Sequence, residues 1–271
     1  MPHTDKRPSR RIWDSNAGQR LRAAGVHSEL WLRARDAVFR ISRRNLFVAR
    51  EDLARRYLSG EGIEIGPMTT PLRVPPDVTV RYVDRLKRAD LLRVEGQYSF
   101  NDLSLIPEID VVDDAGSLAT FADDSVDFVV ASHVVEHLED PLTALKNMLR
   151  VTRPGGVVLL TLPDARHHFD AARPRTSVEH VLRDHEEGPH VSRREHYEEW
   201  ARLIERFDED DVEQRVAEFA ADDARHHFHV WELEGFLRLI LAAGLPCEII
   251  HAQTYLTEFA VVLRSTDAAP A

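Results

Sequence analysis

Five short apolar runs, separated by helical stretches, constrain this chain's fold more than any other feature. They are "GIEIG" (62–66), "TVRYVD" (79–84), "IDVVDD" (109–114), "DFVVASH" (127–133) and "GVVLLTLPD" (156–164), and all read as buried strands. Between the last two lies "DPLTALKNMLRVTRPGG", a helix with Pro141 in its first turn and Gly155–Gly156 after its end. Strands alternating with helices predict a parallel α/β sheet. Near the C-terminus "VWELEGFLRLILAAGL" reads as a helix, and "PCEIIHAQTYLTEFAVVLRS" as two strands joined by a turn.

Composition narrows the setting. A chain of 271 residues, 43% of them hydrophobic, can bury a real core. No apolar run is long enough to cross a bilayer, and the N-terminus lacks a secretory pattern. The single cysteine, Cys247, excludes an internal disulfide and a cysteine-built zinc site. The expectation is a cytoplasmic protein without membrane insertion. Charge is uneven: residues 1–56 carry 14 Lys and Arg against 6 Asp and Glu, and the rest 21 against 40. The basic arm could meet nucleic acid, an anionic lipid surface or the acidic body of its own chain. That acidic body disfavours broad contact with a polyanion.

Three strand ends carry chemistry. "GIEIGPMTTPL" ends a strand at Gly66, a turn that lets backbone approach a ligand at the carboxyl edge of the sheet. Twenty residues after Glu64, Asp84 ends the second strand, where a carboxylate can accept hydrogen bonds from ribose hydroxyls. After the third, Asp113–Asp114–Ala115 could face an adenine. Positions for further glycines hold Met68 and Thr70, which argues against a dinucleotide pyrophosphate site.

"FADDSVDFVVASHVVEHLEDPLTALKNMLRVTRPGGVVLLTLPD" resembles the central signature of class I S-adenosylmethionine-dependent methyltransferases. The resemblance runs from Gly62 to Asp164 and extends through the closing helix and strand pair to Arg264. It implies a Rossmann-like seven-stranded sheet with an antiparallel last strand, and S-adenosyl-L-methionine as cofactor. By motif position Glu64, Gly66 and Pro67 would border the methionine part, Asp84 the ribose, and Asp114 with Ala115 the adenine. Ser132 and His133 would close the site beside the sulfonium. The implied organisation is a basic N-terminal helical arm (1–56), a cofactor-binding core (57–164), a helical, His-rich acceptor lid (165–224) and a closing helix and strand pair (225–266). Helices are expected near 193–207 and 209–222.

Eleven of the 14 histidines lie between His133 and His229. Histidine is the side chain best suited to act near neutral pH as base or metal ligand. "DARHHFD" follows the fifth strand directly, so it should cross the rim where the methyl group points. His167 and His168 are adjacent, and an extended chain sends them to opposite sides. His168 is the expected base, with His167 as alternate; the remainder form a polar lid. In "HVVEH" a helix would put His133, Glu136 and His137 on one face. That stretch resembles the metal-binding segment of small-RNA 3′-terminal 2′-O-methyltransferases and of ubiquinone-pathway O-methyltransferases. "RHHFHVWELEGF" resembles the RNA enzymes' later histidine motif, adding His227 or His229 as a ligand of a divalent ion such as Mg2+. The family's first ligand is glutamate, where this chain has His133.

The polar lid, rich in hydrogen-bonding groups, fits a hydroxylated small-molecule or oligosaccharide acceptor. The expected activity is therefore O-methylation of a sugar hydroxyl on a polysaccharide or glycoconjugate precursor. Methylation of RNA 2′-hydroxyls and a non-catalytic S-adenosylmethionine-binding scaffold are the alternatives; the net charge disfavours RNA. Arg173, Arg175 and Arg183 could bind phosphate or carboxylate, or pair with nearby acids. Trp200 and Trp231 could stack on a sugar, or pack between helices.

Overall fold

The computed structural model describes residues 47–95 and 102–267, so the expected arm lies outside the described residues up to residue 46. Seven strands occur, numbered in chain order: Glu61–Ile65 (β1), Thr79–Asp84 (β2), Val111–Val112 (β3), Val126–Ser132 (β4), Thr152–Pro163 (β5), Cys247–Tyr255 (β6) and Glu258–Ser265 (β7). They form one sheet in the order β3-β2-β1-β4-β5-β7-β6. The pairings from β3 through β5 are parallel, and β7 runs antiparallel to both β5 and β6. The order reverses at β1, which has β2 on one side and β4 on the other. A reversal of this kind opens a crevice at the carboxyl ends of the strands, where α/β proteins bind ligands.

Strand side chains alternate, and this sheet is covered on both faces. On one face Val129 and Ala131 of β4 meet Leu145 and Met148 of a helix at Pro141–Val151 (α3) and Phe236 of one at Leu233–Ala242 (α7). On the other, Phe128 and Val130 meet Leu53 and Ala54 of a helix through residues 47–57 (α1). A short helix, α2 (Arg88–Glu95), follows β2. α3 starts where its sequence demands: Asp140 accepts the Thr143 N–H at 2.9 Å, and Pro141 occupies the first turn.

Local chemistry moves three boundaries. The expected strand 109–114 shrinks to Val111–Val112, because flanking carboxylates engage backbone donors. Asp110 accepts the Tyr82 N–H at 2.7 Å, and Asp113 accepts those of Asp114, Ala119 and Thr120. β5 begins before the expected residue 156: Thr152 pairs with Val126, and the register shifts past Gly155 at φ +82°. "HVVEH" is not an α-helix. His133 sits at φ +54° with its N–H still bonded to Thr161 of β5 at 2.8 Å, leaving a single 3-10 turn at Val135–His137.

Residues 165–224 hold 3-10 turns at Ala165–His167 and Phe169–Ala172, then α4 (Val178–Glu187), α5 (Arg193–Glu199), a π-helical turn (Trp200–Glu205) and α6 (Glu209–Ala221). α4 was not expected; Ser177 caps it by accepting the His180 N–H at 3.2 Å. Tyr197, Val212, Val216 and Phe219 form a small core with Phe228. The chain then returns across the β4–α3 connection, with the Phe228 and His229 N–H groups on the Glu136 carbonyl at 2.8 and 3.2 Å. Among the described residues no helix is long and apolar enough to cross a membrane.

Candidate functional site

The ends of β1, β2 and β4 meet at the crevice, bringing Glu64, Gly66, Asp84, Ser132 and His133 to one edge. Gly66 adopts φ +62°, its N–H bonds the Val83 carbonyl at 2.9 Å, and an added Cβ would sit 3.1 Å from Val134. Conformation and proximity therefore both favour glycine here. The following turn closes without further glycines: Thr70 donates to the Pro67 carbonyl at 3.1 Å and Met68 takes φ +44°. Asp84, buried, accepts the Leu86 N–H at 3.3 Å, and burial raises its carboxyl above the usual range. Asp114 turns its Oδ1 to the Gly116 N–H at 2.8 Å and, beside half-buried Ala115, lines a cleft of about 320 Å3 with His137, Glu139 and Arg225.

Glu64 is buried, and both its oxygens accept the Leu72 N–H at 3.0 Å, folding the loop after β1 back over the strand. Burial pushes its carboxyl up from 4.5 to about 7. A raised folded value makes the associated stability complete below the unfolded value and lost as pH rises through the folded one. Ligand-free protein should therefore lose up to about 3 kcal/mol between pH 4.5 and 8 from this group. Glu64→Gln should flatten that dependence in chemical denaturation at stepped pH; an equally steep curve would remove Glu64 as its source.

A second cluster faces the same rim. His168 is half-buried, and its Nδ1 lies 3.1 Å from Asp170 Oδ2, whereas His167 is exposed. Asp170 Oδ2 also receives His227 Nδ1 at 2.6 Å, and its Oδ1 receives Arg173 at 2.8 Å. Burial alone would raise the Asp170 carboxyl; the bonds from His168, His227 and Arg173 outweigh it and hold the group well below the carboxylate range. His133 Nε2 lies 3.0 Å from Glu258, which is itself clamped by Arg50. Burial holds the His133 ring below the usual histidine value.

The expected metal set is not assembled as a helix face. His133 Nδ1 remains 3.7 Å from Glu136, but His227 joins Glu136 and His137, with ligand atoms within 4.8 Å of one another. His229 instead groups with His180 and His196. Glu136 is fully buried with neither carboxylate oxygen hydrogen-bonded, and burial lifts its carboxyl to about 8. His137 Nδ1 faces the carbonyls of Arg225 and His226 at 3.3 and 3.1 Å, and burial lowers its ring to about 3.

Sequence reasoning missed Asp170 and Glu258. Asp170 had a local signal, an acid two residues after His168. Glu258 had none, since only its pairing opposite Pro163 in the sheet brings it to the rim. The arginines pair with acids: Arg173 with Asp170 and Glu199, Arg175 with Glu232, Arg183 with Asp184. Trp231 is buried and stacks on His229 at 5.1 Å, while Trp200 stacks on His226 at 4.4 Å.

A methyltransferase-domain model matches residues 87–160. Uncharacterized methyltransferases of Mycolicibacterium vanbaalenii and Mycobacterium tuberculosis are each 49% identical over 47 residues, 17% of this chain. The chain thus spans 18% of the length of those curated relatives. A chain from the complex of the Haloferax volcanii Trm112 methyltransferase activator with a methyltransferase is 14% identical, with TM-score 0.48, over 88% of this chain and 96% of its own. A SAM-dependent methyltransferase from Aquifex aeolicus is 11% identical, with TM-score 0.40, over 75% of this chain and 80% of its own. Residues 87–160 thus match a methyltransferase domain, and the sheet order with its antiparallel β7 is the one implied by the resemblance to class I S-adenosylmethionine-dependent methyltransferases.

Proposed function

We propose that the protein transfers a methyl group from S-adenosylmethionine to a hydroxyl, with a sugar hydroxyl of a polysaccharide or glycoconjugate precursor as the leading acceptor. The observation that carries the reading is the Asp170–His168 pair on the segment leaving β5. Bound S-adenosylmethionine supplies a methyl group already activated on a sulfonium. The residues present fit that cofactor: Gly66 keeps the β1 turn close to Val134, and the Asp84 carboxylate has lone pairs beyond the one contact to Leu86. Asp170 accepts the His168 Nδ1–H and so presents the Nε2 lone pair as a base. His168 Nε2 would then take the proton of an acceptor hydroxyl held in line with that methyl group. The polar character of 165–224, dense in His, Arg, Asp and Glu, supports a hydroxylated acceptor.

Asp84→Ala should weaken cofactor binding by about 10- to 100-fold, because charge-assisted hydrogen bonds to two ribose hydroxyls are lost. Calorimetric titration of the folded variant checks this, and unchanged affinity would place the cofactor elsewhere. The acceptor is tested by transfer from labelled cofactor to fractionated cell material. Label in carbohydrate supports the reading; label in RNA favours 2′-O-methylation; binding without transfer favours a scaffold.

Unpartnered Glu136 favours a second reading, in which a divalent ion assists. Glu136, His137 and His227 would hold it, with Asp170 and the Arg225 and His226 carbonyls orienting the two rings. Such an ion would lower the pKa of an acceptor hydroxyl. Full transfer in chelator would exclude this reading.

A further inference from the structure

We infer that His180, His196 and His229 form a zinc-type metal site that ties α4 and α5 to the strap of residues 225–232, separate from the rim around His168. One ring nitrogen from each of the three lies within 4.8 Å of the other two. His180 Nε2 and His196 Nε2 face each other at 3.2 Å, and Asp184 Oδ2 lies 3.1 Å from His180 Nε2 and 3.9 Å from His196 Nε2. Tetrahedral zinc at ordinary zinc–nitrogen lengths separates neighbouring donors by about 3.3 Å, so the His180–His196 and His180–Asp184 separations are those of ligands around one ion, and a shift of the His229 ring completes the set.

Hydrogen bonding alone does not account for the cluster. One proton can bridge His180 to His196 or to Asp184, but not both at once. His229 is buried, its Nε2 approaches the Glu139 carbonyl at 3.3 Å, and its Nδ1 has no partner. A buried polar atom without a partner is destabilising and uncommon in a native fold. A divalent ion takes the facing lone pair of each ring at once, and all three rings keep a second nitrogen to donate. The charged groups around the cluster are Asp184, Arg183 and Arg173. Asp184 is buried and also accepts the Ser192 hydroxyl, a carboxylate held in the way that supports metal ligands. Arg183 reaches His180 Nδ1 only at 3.5 Å, and its side chain is 43% exposed, so it can turn away. Arg173 is committed to Asp170 and Glu199.

His180 and Asp184 lie one turn apart on α4, His196 on α5, and His229 on the returning strap. One ion there cross-links three segments far apart in sequence, and His229 is two residues from His227. Imidazole ligands with a carboxylate suit zinc better than magnesium or calcium.

The test uses the full chain, purified without chelator, with metal content measured by mass spectrometry and zinc affinity by competition with a chromophoric chelator. One zinc per chain is expected in wild type. His180→Ala and His196→Ala should each lose it or bind at least about 100-fold more weakly, while a change at His251 on β6, His251→Ala, should retain it. Zinc at a hundredfold excess over its dissociation constant should raise the unfolding midpoint of stripped wild type by about 5–10 °C. Should either variant fail to fold by circular dichroism, cobalt added to stripped wild type decides: intense visible bands of a four-coordinate site support the proposal. The proposal is overturned by a six-coordinate cobalt spectrum, by no zinc binding in wild type, or by full zinc retention in both His180→Ala and His196→Ala.

Discussion

His168→Ala is expected to slow single-turnover methyl transfer by about 10²–10⁴-fold while leaving S-adenosylmethionine affinity nearly unchanged. The loss belongs to proton removal from the acceptor, so a step after binding should carry it. His167→Ala should behave almost as wild type, because His167 is exposed whereas His168 is held against Asp170. Asp170→Asn should fall between the two, since the ring remains but its tautomer is no longer dictated. Rapid-quench transfer beside cofactor titration separates these outcomes. A near-normal rate in His168→Ala would sink the base assignment.

Arg173→Ala is expected to destabilise the protein by about 3–5 kcal/mol, roughly 6–20 °C in unfolding midpoint. The Arg173 side chain has no solvent exposure, bonds Asp170 at 2.8 Å and Glu199 at 2.6 Å, and lies over the Trp200 ring at 5.6 Å. Removing it leaves the Asp170 carboxylate buried with only histidine partners and opens a cavity between the 3-10 turn and α5. Comparing Arg175→Ala isolates the cause, because Arg175 makes a partly exposed pair with Glu232 and should lose less than about 1 kcal/mol. Equal losses in both variants would mean that Arg173 is not sealed from water. A large loss in Arg173 alone would also tie fold stability to the group that orients His168.

The sheet was legible in the sequence because its evidence is local. Each strand is a short apolar run, Pro141 and Asp140 start α3, and Gly66 closes the β1 turn, so neighbouring residues carry each signal. For the same reason Glu64, Asp84 and Ser132 could be placed at one edge once the strands were taken as parallel. Where a carboxylate competes for backbone donors, as Asp110 and Asp113 do around β3, pattern alone overran the strand. The helix on which a shared face in "HVVEH" depended does not form, because His133 stays tied to Thr161 of β5, a partner set by strand pairing. Histidine abundance was visible; its partition was not. Whether His229 joins Glu136 or His180, whether Asp170 serves one ring or two, and that Glu258 reaches His133 all follow from where α4, α5 and the strap pack. Those contacts join residues tens to more than a hundred positions apart, and no period or spacing in the chain encodes them. Local propensity determined the scaffold; tertiary packing decided which side chains share a proton or a ligand.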